Sequence, residues 1–256
     1  MKLLALDTSA AGCSAALWLG TAEAGLSYER FEIAPRGHTR LLMPMVRSLL
    51  KEHGLEPADL DAVAFACGPG SFTGLRIATG VVQGLAWGLN IPVIPVSSLA
   101  AVALDALTQA GAAHGQRVAV AFDARMGEVY WGCYQLLDGV PVLLGKERVC
   151  APSTLAMPTT EGSADGVHVE ADDLHAEAGN AGWLGAGSGW ALSEQMPQAV
   201  TSALAALPGT DLVPRAACVA HLAAKQFAAG AGVSAEQAQP VYLRDEVTWQ
   251  KLPGRE

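Results

Sequence analysis

One structural plan occurs twice in this sequence, about half a chain apart, and that repeat limits the fold more than any other feature. Residues 2–18 read as a buried strand from Lys2 to Leu6, the triplet Asp7-Thr8-Ser9, a short turn, and a second strand through Ala15-Ala16-Leu17-Trp18. Residues 118–134 restate it: Val118-Ala119-Val120-Ala121-Phe122, then Asp123-Ala124-Arg125, a turn at Gly127, and Val129-Tyr130-Trp131-Gly132-Cys133-Tyr134. The two aspartates stand 123 − 7 = 116 positions apart in a chain of 256 residues. A period this long points to duplication of a whole lobe and not to a short solenoid unit.

After the opening hairpin, the first half carries Phe31-Glu32-Ile33, a helix from about Thr39 to His53, a buried strand from Ala62 to Ala66, and the turn Gly68-Pro69-Gly70. A helix from about Thr73 to Leu89, a strand from Ile91 to Val96 and a helix beginning near Ser97 follow. Strands alternating with helices predict a mixed α/β lobe with helices packed on the sheet. The second half opens the same way and then loses its pattern. Pro158 to Gly189 is rich in Gly, Ala, Asp and Glu and is expected to be mostly loop. A last helix, about Arg215 to Ala229, precedes a polar tail in which Pro240-Val241-Tyr242-Leu243 is a candidate docking strand. The expected division is an N-terminal lobe over 1–104 and a C-terminal lobe over 105–256, with residues 215–256 free to return to the first lobe.

Composition narrows the function. Hydrophobic residues make up 51% of the chain and charged residues 16%, enough core to exclude a disordered protein. The net charge of −9 and the lack of a dense Lys/Arg run argue against a protein that grips nucleic acid unaided, because phosphate binding rests on cations. The five cysteines, Cys13, Cys67, Cys133, Cys150 and Cys218, are scattered with no C-x-x-C pair, which reads as reduced core residues. Asp7 interrupts the first apolar run after four residues, too early for a signal sequence, and no stretch is long enough to span a membrane. The expected location is the cytoplasm, with no membrane contact.

Two turns could meet a phosphate. Asp7-Thr8-Ser9 offers a carboxylate and two hydroxyls at a strand end, and the mirrored Asp123 could face it across a cleft. Plain turn chemistry is the alternative. Gly68-Pro69-Gly70-Ser71-Phe72-Thr73-Gly74 joins a strand to a helix N-terminus, where an anion would sit. Its spacing is neither the dinucleotide fingerprint nor a phosphate loop with its lysine, and a tight turn capped by Ser71 or Thr73 is equally consistent. The candidate nucleotide-facing residues are thus Asp7, Thr8, Ser9, Gly68, Gly70 and Asp123.

The helix pair carries a different signal. Gly80, Gly84 and Gly88 recur at four-residue spacing along one face, where each costs about 1 kcal/mol relative to Ala. Close approach of another helix would compensate. The preceding helix presents Leu41, Leu42, Met45, Val46, Leu49 and Leu50 as a broad apolar face. Packing on their own sheet is one account of both helices; a helix-bundle interface with another protein is the other. No G-x-S-x-G, no H-E-x-x-H and no i, i+4 histidine pair occurs, so neither a catalytic serine nor a metal centre is expected. Glu170, Asp172, Asp173 and His175 cluster in an acidic loop that is expected to be solvated.

Several segments taken in order resemble one family. Leu6-Asp7-Thr8-Ser9, His38-Thr39-Arg40-Leu41-Leu42-Met43-Pro44, Gly68-Pro69-Gly70-Ser71-Phe72-Thr73-Gly74-Leu75-Arg76 and Asp123-Ala124-Arg125-Met126-Gly127-Glu128-Val129-Tyr130 are similar to the TsaB family, also called YeaZ. So are Pro240-Val241-Tyr242-Leu243-Arg244-Asp245-Glu246-Val247 and Lys251-Leu252-Pro253-Gly254-Arg255. The resemblance implies an α/β, two-lobed fold of the actin-like ATPase (ASKHA) superfamily with duplicated lobes. It also implies a role in making threonylcarbamoyladenosine at position 37 of tRNAs that read codons starting with A. There, TsaD transfers the threonylcarbamoyl group, TsaC supplies the activated adenylate, and the TsaE ATPase joins the complex. TsaB is the required, non-catalytic partner that binds TsaD through its first two helices. In the catalytic paralogue, an H-x-x-x-H metal motif follows the strand equivalent to Ile91–Val96; here Ser98 and Val102 fall at those places, and valine cannot coordinate.

The expected protein is therefore an accessory subunit and not an enzyme, with no cofactor and no metal. Its expected TsaD interface is Leu41, Leu42, Met45, Val46, Leu49, Gly80, Gly84 and Gly88, with self-association into a homodimer when the partner is missing and tRNA met only indirectly. The alternatives are a metallopeptidase-like hydrolase and a small-molecule kinase of the same fold.

Overall fold

The computed structural model of the chain describes residues 1–158 and 182–244. Its first lobe is a five-stranded sheet in the order β3-β2-β1-β4-β5, built from β1 (Lys2–Asp7), β2 (Gly12–Gly20), β3 (Gly25–Ile33), β4 (Ala62–Gly68) and β5 (Val93–Ser97). β1, β2 and β3 pair antiparallel, whereas β4 and β5 run parallel to β1. The second lobe repeats the order as β8-β7-β6-β10-β11, from β6 (Arg117–Arg125), β7 (Glu128–Leu137), β8 (Val140–Leu143), β10 (Trp183–Ala186) and β11 (Leu204–Gly209). The pairing senses match strand for strand, and the short β9 (Arg148–Cys150) adds to β7. The duplicated lobe read from the two aspartates is thus a property of both sheets, and the fold is the two-lobed α/β arrangement of the actin-like ATPase superfamily.

Alternation along the central strands sorts the core into layers. On β1 and β4, Leu4, Leu6, Val63, Phe65 and Cys67 face α1 (His38–Glu52) and α2 (Phe72–Leu89). Leu3, Ala5, Ala62, Ala64 and Ala66 face the opposite way, onto α5 (Ala216–Ala228). Alanines on both surfaces, including Ala216, Ala220, Ala223 and Ala224 of α5, let that helix lie close to the strands. α3 (Ser98–Gln109) crosses to the second lobe, where Leu99, Val102, Ala106 and Leu107 pack on Val118, Val120 and Tyr134. Each lobe therefore lends its last helix to the other's sheet, and position 104 lies inside the continuous α3 that makes the crossing. On the far face of the second sheet, Trp131, Trp190, Met196 and Val200 form a smaller core beside the one-turn helix α4 (Gln198–Thr201).

Charged contacts fix the return of α5. Glu29 on β3 accepts hydrogen bonds from Arg215 Nε at 2.9 Å and from the Ala217 amide at 3.0 Å, and Ser14 Oγ accepts from the Ala216 amide at 2.9 Å. Side chains of the first lobe thus satisfy two of the orphan amides at the N-terminus of α5.

Two expectations of local structure need correction. Of the stretch from Pro158 to Gly189, expected to be mostly loop, residues 159–181, with the acidic cluster at Glu170, Asp172, Asp173 and His175, lie outside the described residues; the correction is confined to β10, where pairing to β6 makes a strand of a Gly/Ala-containing segment. Pro240–Leu243 docks without becoming a strand: Val241 donates one backbone hydrogen bond, 2.7 Å to Cys67 O, and no ladder forms.

Candidate functional site

The two aspartate turns end up in different environments. Asp7 and Thr8 have no exposed surface, and Ser9 has 2%. Asp7 Oδ1 accepts from the Ser9 amide at 3.0 Å and from Ser9 Oγ at 2.5 Å, while Oδ2 is buried with no hydrogen-bond partner. Burial pushes the Asp7 carboxyl up from its ordinary 3.8 to about 7, against the lowering effect of the Ser9 hydrogen bonds. The Gly68–Gly74 turn is stitched onto this one. Thr8 Oγ1 donates to Gly74 O at 2.6 Å, and the Ser71 amide donates to Ser9 O at 2.7 Å. A Cβ at Gly70 would lie 2.4 Å from Ser9 O, and one at Gly74 would lie 2.0 Å from Thr8 O, so only glycine permits this approach. Ser71 caps α2 by accepting from the Gly74 amide at 3.3 Å.

Asp123 stays near the surface. Its carboxylate accepts from the Arg125 amide at 2.7 Å and from Arg125 Nη1 at 3.0 Å, and its own amide donates to Ser188 Oγ at 3.2 Å. Gly187 and Gly189 press on Ala121 as Gly70 presses on Ser9, so the turn after β10 is the second-lobe counterpart of Gly68–Gly74. Asp7, Thr8, Ser9 and Gly68, expected to face a nucleotide, are buried, which corrects that reading for them, whereas Gly70 is half-buried and Asp123 exposed. Gly68 is covered by Val241, the first turn is packed shut, and Asp123 is engaged by Arg125. A further junction at the lobe boundary had no sequence signal. Glu147, whose carboxyl is raised by burial, accepts from the hydroxyls of Ser97 at the start of α3 and Tyr134 on β7. It could be found only once the sheets were placed.

The helix pair divides cleanly. Leu42, Val46 and Leu49 point into the first-lobe core and are almost wholly buried, and Leu41 and Met45 are half-buried against the same core. That corrects the expectation of a partner face made from all five, since the sheet already takes the inner three. On α2, Leu75, Ala78, Val82 and Ala86 are inside. Gly80, Gly84 and Gly88 are exposed, and a Cβ at any of them would meet nothing within 4 Å. Among the described residues no helix compensates for them. The same outer face carries Phe72, 57% exposed, and Trp87, 70% exposed, with the Arg76 guanidinium 3.5 Å from the Phe72 ring centre. Both aromatics were missed in sequence, although Trp87 lies three residues beyond Gly84 on that face. Two bulky aromatics beside a strip of bare backbone leave an exposed, partly apolar face on this helix.

Other chemistry is not assembled. Among the described residues no three His, Cys, Asp or Glu side chains come together to hold a metal ion. Ser98 and Val102 are both buried in α3. Cys67, Cys133 and Cys218 are pushed up to about 12 by burial, which keeps them as inert thiols. Among the described residues, no helix is long and apolar enough to cross a membrane.

Residues 31–250 match the family described as TsaD, tRNA N6-adenosine threonylcarbamoyltransferase. The chain is 40% identical over 257 residues to the tRNA threonylcarbamoyladenosine biosynthesis protein TsaB of Escherichia coli (strain K12), covering 100% of both chains. It is 35% identical over 266 residues to the protein of the same name from Haemophilus influenzae, covering 100% of this chain and 99% of that one. Among solved structures, YeaZ from Pseudomonas aeruginosa superposes with a TM-score of 0.79 at 46% identity, over 94% of this chain and 99% of that one. A second structure from that organism, described as similar to the peptidase YeaZ, aligns equally well. With identity running end to end, and with a fold and turn pattern in keeping, the chain belongs to the TsaB (YeaZ) family.

Proposed function

We propose that this chain takes part in threonylcarbamoyladenosine synthesis on tRNA as a non-catalytic subunit, binding and activating a TsaD-type transferase through the outer face of α2 and the exposed margin of α1. The observation that carries this reading is the strip of Gly80, Gly84 and Gly88 on a helix face that also bears Phe72 and Trp87, exposed and opposed by nothing among the described residues. Glycines in a helix interior are unfavourable unless something uses the space they leave. The names of the relatives supply the pathway, and the missing metal ligands at Ser98 and Val102 agree with a helper subunit. With a net charge of −9, the protein would add little to tRNA affinity, so cationic surface would come from the transferase and from a TsaE-type ATPase joining the assembly. A TsaC-type enzyme would supply the activated threonylcarbamoyl group. Alone, the same face would pair with a second copy.

Reconstitution with the other pathway proteins tests this reading, scoring modified adenosine and transferase binding together. The wild-type chain should be required for modification, and Gly84→Leu should abolish both binding and modification while keeping the native circular dichroism. Normal modification without the chain would defeat the proposal, and so would normal assembly of Gly84→Leu.

A further inference from the structure

The segment after α5 is fastened to the first lobe along most of its length and then steps across to the second. Val233 exchanges two backbone hydrogen bonds with Val93, each 2.9 Å. Ala238 is fully buried, and its carbonyl accepts from Gln83 Nε2 at 2.8 Å. Val241 donates 2.7 Å to Cys67 O at the end of β4, and its own carbonyl would lie 2.5 Å from a Cβ at Gly68. Tyr242 lies over the start of α2, its ring 5.5 Å from that of Phe72 and 5.7 Å from the Arg76 guanidinium. Two residues later, Arg244 pairs with Glu128 of β7, and its Nη1 lies 3.8 Å from Met126 Sδ in the β6–β7 turn.

The attachments differ in strength along the segment. Those to the first lobe are backbone hydrogen bonds and the buried Ala238, followed by the exposed Val241 and the exposed ring of Tyr242. The one to the second lobe is a partly exposed ion pair, a kind of contact that opens readily. The end of β4 under Val241 adjoins the Asp7 turn through Gly70 and Ser71, and there a buried carboxylate oxygen has no partner. We propose that residues Pro240–Arg244 are an interlobe clasp, tying the end of β4 and the start of α2 to the β6–β7 hairpin and releasing at its Arg244–Glu128 end. The clasp is a tie that opens locally at its second-lobe end, with Tyr242 placed against the N-terminal turn of α2.

Charge reversal separates a clasp from an inert tail. In the full-length chain, Arg244→Glu should speed amide exchange at Val241 and alkylation of Cys67 about fivefold or more, as expected when a surface pair becomes a repulsion. Cys133, in the far core of the second lobe, should react as in wild type. The double variant Glu128→Arg/Arg244→Glu should restore protection at both positions. Tyr242→Ala should loosen the same two sites with all charges intact. Unchanged exchange at Val241 in both Arg244→Glu and Tyr242→Ala would overturn the proposal. It would also be overturned if the reversed pair failed to restore protection, or if Cys133 reactivity rose in step with Cys67.

Discussion

Asp7 holds its proton because of where its turn is buried, and this gives the fold a pH dependence with a definite sign. In the unfolded chain the carboxyl ionises near pH 4; in the folded chain it does so at about 7. Between those values the native state binds more protons than the unfolded one, so stability falls as pH rises, by about 1.4 kcal/mol per unit from this group. Its contribution is present in full below about pH 4 and is lost as pH rises through 7. Asp7→Asn keeps an acceptor for Ser9 and removes the charge, so it should melt close to wild type at pH 4 and of order 5–10 °C higher at pH 8. Thermal melts of both proteins across that range provide the check, and a difference that did not vary with pH would refute the assignment. The sequence marked Asp7 as a strand-end carboxylate. Its burial was not legible there, because the atoms that cover the turn come from Gly70 and Gly74, more than sixty positions away, at contacts only glycine allows.

At the scale of a helix, the proposed docking role of α2 would set stability in the isolated chain against association. Its three outward glycines have open space where a Cβ would go, so Gly84→Ala should stabilise the isolated chain by about 0.5–1 kcal/mol. The same methyl would stand in the path of a docking helix and weaken transferase binding. Denaturant unfolding and a binding titration of one protein sample test both signs. A less stable Gly84→Ala would mean that its own fold needs the glycine. Periodicity disclosed this helix and its small-residue strip, but gave α1 an apolar face wider than a sheet can cover. Which part of that face was taken, Leu42, Val46 and Leu49 inside with Leu41 and Met45 at the margin, depends on the roll of α1 against β2 and β3, which spacing alone leaves open. β10 was hidden for another reason. Trp183-Leu184-Gly185-Ala186 has no β-branched residue and becomes a strand through pairing with β6, a tertiary effect.

For the whole molecule, the repeat in sequence points to two similar lobes and leaves residues 215–256 free to return to the first, but does not disclose that α3 crosses to the second. An alanine-rich helix such as α5 presents nearly the same small, apolar surface on several sides, so its sequence does not name the sheet it will cover. In the folded chain α5 covers Leu3, Ala5, Trp18 and Ala64, while α3 covers Val118, Val120 and Tyr134, so neither sheet is complete without the other half of the chain. Glu29 strengthens this dependence by holding both Arg215 and the first turn of α5. Two lobes that each supply part of the other's core should unfold together, as a single cooperative unit. Urea unfolding should therefore give coincident transitions whether followed by amide signals of β1 and β4 or by those of β6 and β7. Ala220→Asp, which puts a charge between α5 and the first sheet, should lower the midpoint of both sets by the same amount. If the second-lobe amides kept their wild-type midpoint in that variant, the lobes would be independent domains, and the interlobe clasp would join bodies that are already separate.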